Sequence, residues 1–230
     1  MIRRHDFNSD WYGDEAGIVA DASFFAADAA ARDRALAPFA FVEARGPLSA
    51  QFGVAARRAG FFLADTQIPF RIALAQLESS PSIAGLEAKS AAEEGFEVRE
   101  PAPFVHERFA LLPGVGEQEL AGRYLLWSAR LIAEHPETAL AIRSERGVEG
   151  WFLSRRDEGG LELTLAMLAA DATISGHHLY HRALLHYRDL GARVGRASFS
   201  VANSAVHNIY ASLGARFLEP QGCWLWIRGG

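Results

Sequence analysis

The sequence predicts an α+β protein: a mixed β-sheet with flanking helices in its larger C-terminal part, and a small α/β unit ahead of it. Three observations carry that expectation. Segments with apolar residues at helical spacing, several ended by glycine, interleave with short alternating or continuous apolar runs. A stretch poor in large apolar residues separates the two parts, with Glu78-Ser79-Ser80-Pro81-Ser82 at one end and Ala91-Ala92-Glu93-Glu94 at the other. Half of the 230 residues are hydrophobic and 22% are charged, which excludes a disordered or collagen-like chain. The expected division is an α/β unit over 1–77, a linker over 78–94 and a larger domain over 95–230.

In the first unit, Phe39–Arg45 reads as a strand, punctuated by Gly46-Pro47. Ser49 is placed to cap a helix through Ala59, with Phe52, Ala55, Ala56 and Ala59 on one face and Gly60 as its stop. Phe61–Ala75 alternates loosely as one or two strands. Trp11-Tyr12-Gly13 lies in a polar-aromatic stretch without a clear period. In the larger part, Phe96–Arg99 reads as a first strand. Glu117–Glu134 reads as a helix presenting Leu120, Tyr124, Trp127 and Leu131. Thr138–Arg143 and Glu149–Ser154 are strands around a turn at Glu145–Gly147, and a second turn falls at Asp157–Gly160. Leu161–Ala169 is a long apolar strand. Helices over Gly176–Leu190 and Ser204–Leu213 end at Gly191 and Gly214, with a strand Arg193–Val201 between them. Phe217 and Trp224–Arg228 close the sheet.

Composition narrows the function. The net charge is −5 and the pI about 5.9, against the basic surface that non-specific nucleic-acid binding needs. Cys223, the single cysteine, excludes an intramolecular disulfide and a Cys-rich metal cluster. Met1–Asp6 lacks the apolar stretch of a signal peptide, and no run approaches the roughly 18 apolar residues of a membrane helix. A cytoplasmic protein is the expectation. Lys89 is the only lysine among 23 basic residues, a bias that reads as base composition of the genome.

Two segments carry chemistry. In Ala197–Phe217 a strand ends at Asn203, a helix begins there, and Tyr210 follows seven residues later. Seven residues are two helical turns, so Tyr210 returns to the face of Asn203. The bland alternative is a capped amphipathic helix with a core tyrosine. One strand and one helix earlier, the loop Thr173-Ile174-Ser175-Gly176-His177-His178 follows the apolar strand and opens a helix, where backbone N–H groups can meet phosphate. His177 and His181 are four apart, a zinc-enzyme spacing, but no Glu follows the first His and no third ligand is evident. No Gly-x-Ser-x-Gly elbow is present. Cys223, between Gly222 and Trp224, reads as a buried inert thiol.

The order and spacing of these two motifs resemble the Gcn5-related N-acetyltransferases (GNAT), in which the helix motif ends Leu-Gly-Phe and the loop is Gln/Arg-x-x-Gly-x-Gly/Ala. Here Leu213-Gly214-Ala215 stands for the former. In the loop only Gly176 matches; Thr173 and His178 depart from the pattern. A narrower likeness to the dTDP-fucosamine acetyltransferases and their amino-sugar relatives rests on Phe7–Gly13, Ala56–Phe61, Glu107-Arg108-Phe109, Gly122–Trp127 and Cys223–Arg228.

The resemblance implies a GNAT-like sheet with a parallel pair splayed after Leu168. It implies acetyl-CoA, or another acyl-CoA, as cosubstrate and no metal. The cofactor would lie on Met167, Leu168, Ala169, Thr173, Ser175, Gly176, His177, His178 and Asn203, with an N–H near Leu168 holding the oxyanion and Tyr210 as general acid. The acceptor implied is a small-molecule primary amine on a nucleotide-linked amino sugar, in a pocket shaped by the N-terminal unit and Glu107–Trp127. No nucleic-acid or membrane partner is implied, and a homodimer is compatible. No base is identified: Glu162 lies on the right strand and Asp171 near its end. The rivals are a GNAT-fold enzyme for another amine or a longer acyl chain, and a non-catalytic ligand-binding module.

Overall fold

The computed structural model describes residues 1–103, 106–157 and 160–229. In chain order its elements are β1 (Ile2–Arg4), α1 (Asp6–Tyr12), β2 (Ala16–Val19), α2 (Ala29–Leu36), β3 (Phe41–Pro47), α3 (Ala50–Arg58) and β4 (Phe62–Ala73). There follow β5 (Glu87–Ser90), α4 (Glu117–Glu134), β6 (Ala139–Ser144), β7 (Gly147–Asp157), β8 (Gly160–Leu168), α5 (Gly176–Asp189), β9 (Val194–Ser200), α6 (Ser204–Ser212), β10 (Arg216–Phe217) and β11 (Gln221–Ile227).

The helices form where the local chemistry asks for them. Ser49 accepts the Phe52 N–H at 3.1 Å and starts α3, and Gly60, at φ +80°, ends it in a conformation other residues resist. Helix α4 buries Leu120, Tyr124 and Leu131, with Trp127 partly covered beside them. The Trp11 region is helix α1, closed by Gly13 at φ +77°.

One sheet runs β1-β2-β3-β11-β4-β9-β8-β7-β6-β5, with β10 on β4. Strand β11 pairs antiparallel with both β3 and β4, so early and late parts of the chain share the sheet. Helices α5 and α6 cover one face over Phe70, Ile72, Phe152 and Leu163, and α4 covers the other over Trp151, Leu165 and Met167.

Two expectations are corrected. Residues 78–94 do not form a free linker: Ile83 is 3% exposed, and β5 pairs with β6 to make the sheet edge. Its inward residues are small, Ala88 and Ser90, so the strand lacks the usual apolar signal. Phe96–Arg99 is not a strand; Phe96 and Val98 pack onto the Tyr124–Leu131 cluster without a ladder. Of the expected turn Asp157–Gly160, residues Glu158 and Gly159 lie outside the described residues.

The feature that builds a site is the parallel pair β8/β9. Its register holds at only Leu161↔Gly195 and Glu162↔Arg196. Beyond Glu162 the strands part, so the splay opens six residues earlier than the expected Leu168. β8 keeps its partner β7 up to Leu168, and β9 keeps β4, so neither strand loses its other neighbour.

Candidate active site

The splay is a cleft of about 620 Å³. Its walls are Glu162–Ala166 of β8 and Ala197–Ser200 of β9, with Tyr180, Asn203, Val206 and Tyr210 from the helices. Asn203 accepts the Val206 N–H at 3.1 Å through Oδ1, so it caps α6, and it is among the residues that line the cleft. Two turns on, Tyr210 is 4% exposed, with ring centroids 4.0 Å from Phe70 and 5.1 Å from Tyr180. Burial pushes its hydroxyl well above the ordinary 10, so it stays protonated near neutrality and keeps a proton to give.

The expected cofactor strand and loop lie beyond the walls of this cleft. Met167 is buried against Ser128, whose hydroxyl meets its sulfur at 3.9 Å. The Leu168 carbonyl accepts the Ala102 N–H at 2.9 Å, and the Ala170 N–H donates to Glu100 at 3.0 Å. Pro101 and Ala169 form an isolated antiparallel bridge. Residues 100–102 therefore lie along the edge of β8 where it has left β9.

Thr173 is fixed by a residue that sequence reasoning did not single out. Glu149, 2% exposed, accepts the Thr173 N–H at 2.6 Å, the Thr173 hydroxyl at 2.8 Å and the Ser144 hydroxyl at 2.6 Å. Its only sequence signal is a carboxylate between Val148 and Gly150 in a strand. Ser175 caps α5 through the His178 N–H at 3.4 Å and meets His178 Nδ1 at 3.2 Å. Gly176 opens the helix; a Cβ there would sit 3.1 Å from Ile209 Cδ1. Gly176→Val is expected to push α5 off Ile209, obstruct approach to the loop, and weaken coenzyme A binding about tenfold in calorimetry. Unchanged affinity would remove the loop from the cofactor site.

The other candidates separate cleanly. His177 and His181 have ring centroids 5.7 Å apart, and His181 Nε2 is 2.8 Å from the Glu78 carbonyl. Among the described residues no three His, Cys, Asp or Glu side chains are grouped to hold a metal. Glu162 lines the cleft but is paired with Arg155 at 2.7 Å. Asp171 is exposed and outside the lining. Cys223 is fully buried, and burial pushes its thiol up to about 11.

The far end of the cleft is a buried ionic cluster on β3, α4 and the Glu107–Leu112 segment. Glu43 accepts two hydrogen bonds from Arg108, at 2.9 and 2.8 Å, and one from Arg45 at 2.8 Å. Burial works to raise the Glu43 carboxyl, but Arg108 and Arg45 win and bring it down to about 2. Glu107 accepts the Tyr124 hydroxyl and, at 3.2 Å, the Phe109 N–H. The Arg123 guanidinium stacks over Phe109 at 4.5 Å and donates to Asn8 at 3.2 Å. The Glu107–Trp127 segment and the early strands thus line this end of the cleft together. Glu43 itself had one signal, a lone carboxylate inside the apolar run Phe39–Val42 and Ala44.

No protein-family model matches the sequence, and no curated protein does. Solved structures do match the fold. A tandem GNAT protein from the clavulanic acid biosynthesis pathway is 11% identical, at a TM-score of 0.55, over 95% of this chain and 77% of that one. A GCN5-related N-acetyltransferase from Kribbella flavida is 12% identical, at 0.54, over 94% and 82%. One from Sphaerobacter thermophilus is 15% identical at 0.54; 81% of this chain matches and spans 59% of that protein's length. The architecture is the GNAT fold: a mixed sheet with a splayed parallel pair and a capped helix at the splay.

Proposed function

We propose that the protein is an N-acyltransferase that moves an acyl group from acyl-CoA to a primary amine, and that the amine belongs to a nucleotide-linked amino sugar. The observation that supports this best is Tyr210, held protonated by burial, in the cleft that opens where the β8/β9 ladder pairing has ended.

Two features of this chain would receive coenzyme A. The splay leaves room for an extended arm, and α5, a 14-residue helix, opens with Gly176 and His177 ahead of the one N–H that Ser175 caps. Met167–Ala169, Thr173, Ser175–His178 and Asn203 would hold it, and its thioester supplies the activated acyl group. Around that group the chain's own residues divide the work. N–H groups on the edge of β8 that has left β9, that of Leu168 among them, would hold negative charge developing on the acyl oxygen. As the carbon–sulfur bond breaks and the carbon–nitrogen bond forms, Tyr210 Oη would donate its proton to the departing sulfur, while the proton shed by the amine nitrogen passes to water, from which Tyr210 is reprotonated. Glu162 is engaged with Arg155 and Asp171 does not line the cleft, so neither is assigned as base.

A second reading, a ligand-binding module without turnover, is favoured by residues 100–102, which already pair with the β8 edge at Leu168 and Ala170. Mass spectrometry of nucleotide amino sugars incubated with acetyl-CoA separates the two. A mass gain of one acetyl group supports the enzyme. A thermal shift with coenzyme A but no product from any amine supports the module; about 2.7 kcal/mol of stabilisation is expected at 100 times the dissociation constant.

A further inference from the structure

The strand register sets arginines side by side. Arg71 of β4 lies directly opposite Arg216 of β10 on one side and Arg196 of β9 on the other. Residues opposite one another in a ladder project from the same face. The row continues through Glu162 of β8, opposite Arg196, to Arg155 of β7, and Glu162 is bound to Arg155 at 2.7 Å. Among the described residues no carboxylate pairs with Arg71 or Arg216. Like charges directly opposite destabilise a sheet unless something of opposite sign lies between them.

The same face is concave. A pocket of about 370 Å³ is lined by Arg45, Arg71, Arg196, Gln67, Ser198 and Gln221, among others. It is continuous with the Tyr210 cleft: Arg45, Gln67, Phe70, Glu162, Ala197 and Ser198 line both. Ser198 donates to Gln67 at 2.9 Å, which fixes the polar floor between the arginines. Guanidinium forks suit phosphate oxygens, and a pocket of this volume suits a small phosphoryl group.

The geometry points to a phosphate subsite at Arg45, Arg71 and Arg196 that binds the phosphoryl or diphosphoryl group of the acceptor, with the amine reaching from there into the Tyr210 cleft. This rests on the acyltransferase reading and assigns the residues that hold the acceptor's phosphate. The cofactor's own phosphates are the other source of that chemistry, and the test distinguishes them.

Inorganic pyrophosphate is titrated into the full chain by calorimetry, for wild type, Arg71→Gln and Arg71→Lys. Wild type is expected to bind, with affinity falling as salt rises. Arg71→Gln is expected to bind at least tenfold more weakly, with Arg71→Lys in between. Arg71→Gln should also melt higher than wild type without ligand, since it removes a like-charge contact, so a lost fold cannot mimic lost binding. Binding should persist with saturating coenzyme A, and glucosamine 1-phosphate, but not glucosamine, should displace pyrophosphate. Equal affinity in wild type and Arg71→Gln overturns the subsite; loss of pyrophosphate binding on adding coenzyme A assigns the arginines to the cofactor and overturns the acceptor role. If no amine is acylated but the pyrophosphate pattern holds, the acyltransferase reading fails and the phosphate site stands. If unphosphorylated amines are acylated and pyrophosphate does not bind, only this inference falls.

Discussion

Tyr210→Phe is expected to lower turnover by roughly 100- to 10,000-fold, the contribution typical of a positioned general acid. Its affinity for coenzyme A should hardly change. The ring keeps its neighbours Phe70, Tyr180 and Phe199, so the substitution removes one oxygen from a packed site. That oxygen acts on charge at sulfur, which exists only as the bond breaks, and so its loss appears in turnover and not in ground-state binding. Because burial holds the hydroxyl proton well above pH 10, the alkaline limb of the wild-type rate profile should not report Tyr210 below about pH 9. A tyrosine serving the core alone would lose a little stability and keep its turnover. Steady-state kinetics on folded variant, with chemistry shown to be rate-limiting, decides: full turnover removes Tyr210 from the reaction.

The second large effect is on stability. Glu43→Gln takes from the Arg108 guanidinium, whose side chain is 12% exposed, the carboxylate bonded to it and leaves only the Glu107 charge nearby, and removing one partner of a buried pair costs about 3–5 kcal/mol. Chemical denaturation should show that loss. The double variant Glu43→Gln with Arg108→Met should recover part of it, because the stranded charge has gone. Acid should reproduce the single variant. The folded-state pKa of Glu43 is depressed to about 2 from an ordinary 4.5, so its stabilisation, on the order of 3 kcal/mol, is complete above pH 4.5. It is lost as pH falls from 4.5 through 2. A wild-type acid transition that is unchanged in Glu43→Gln would mean the cluster does not hold the β3–Arg108 junction together.

Four helices, strands β3 and β4, and the strands from β6 onward were legible because they carried their own period and stops: α3, α4, α5 and α6 begin and end within a residue or two of the expectation, whereas β1, α1, β2 and α2 showed no period that marked them. What else was not legible depended on neighbours far along the chain. β5 is short and inwardly small, and counts as a strand only because β6 lies beside it. Phe96 and Val98 alternate with charged residues as a strand would, yet no strand is there to pair with them. At the site, Asn203 and Tyr210 were readable because one helix spaces them. Glu43 and Arg108 are 65 residues apart, and only the fold brings them together. The arginine row is of the same kind: Arg71, Arg196 and Arg216 follow no motif, and meet through strand register alone.

Strand β11 has a consequence for how the chain reaches this structure. Arg45 and Asp65 both find their ladder partner at Cys223, made well over a hundred residues later. On the ribosome β3 and β4 therefore emerge long before the strand that seals the gap between them. Until it arrives, each shows a bare hydrogen-bonding edge flanked by Phe41, Val42, Phe61 and Phe62. Such late, long-range closure slows folding and leaves unfinished chains prone to edge-to-edge association. A chain stopped before Gln221 should go to the insoluble fraction, whatever the state of the cleft residues already made.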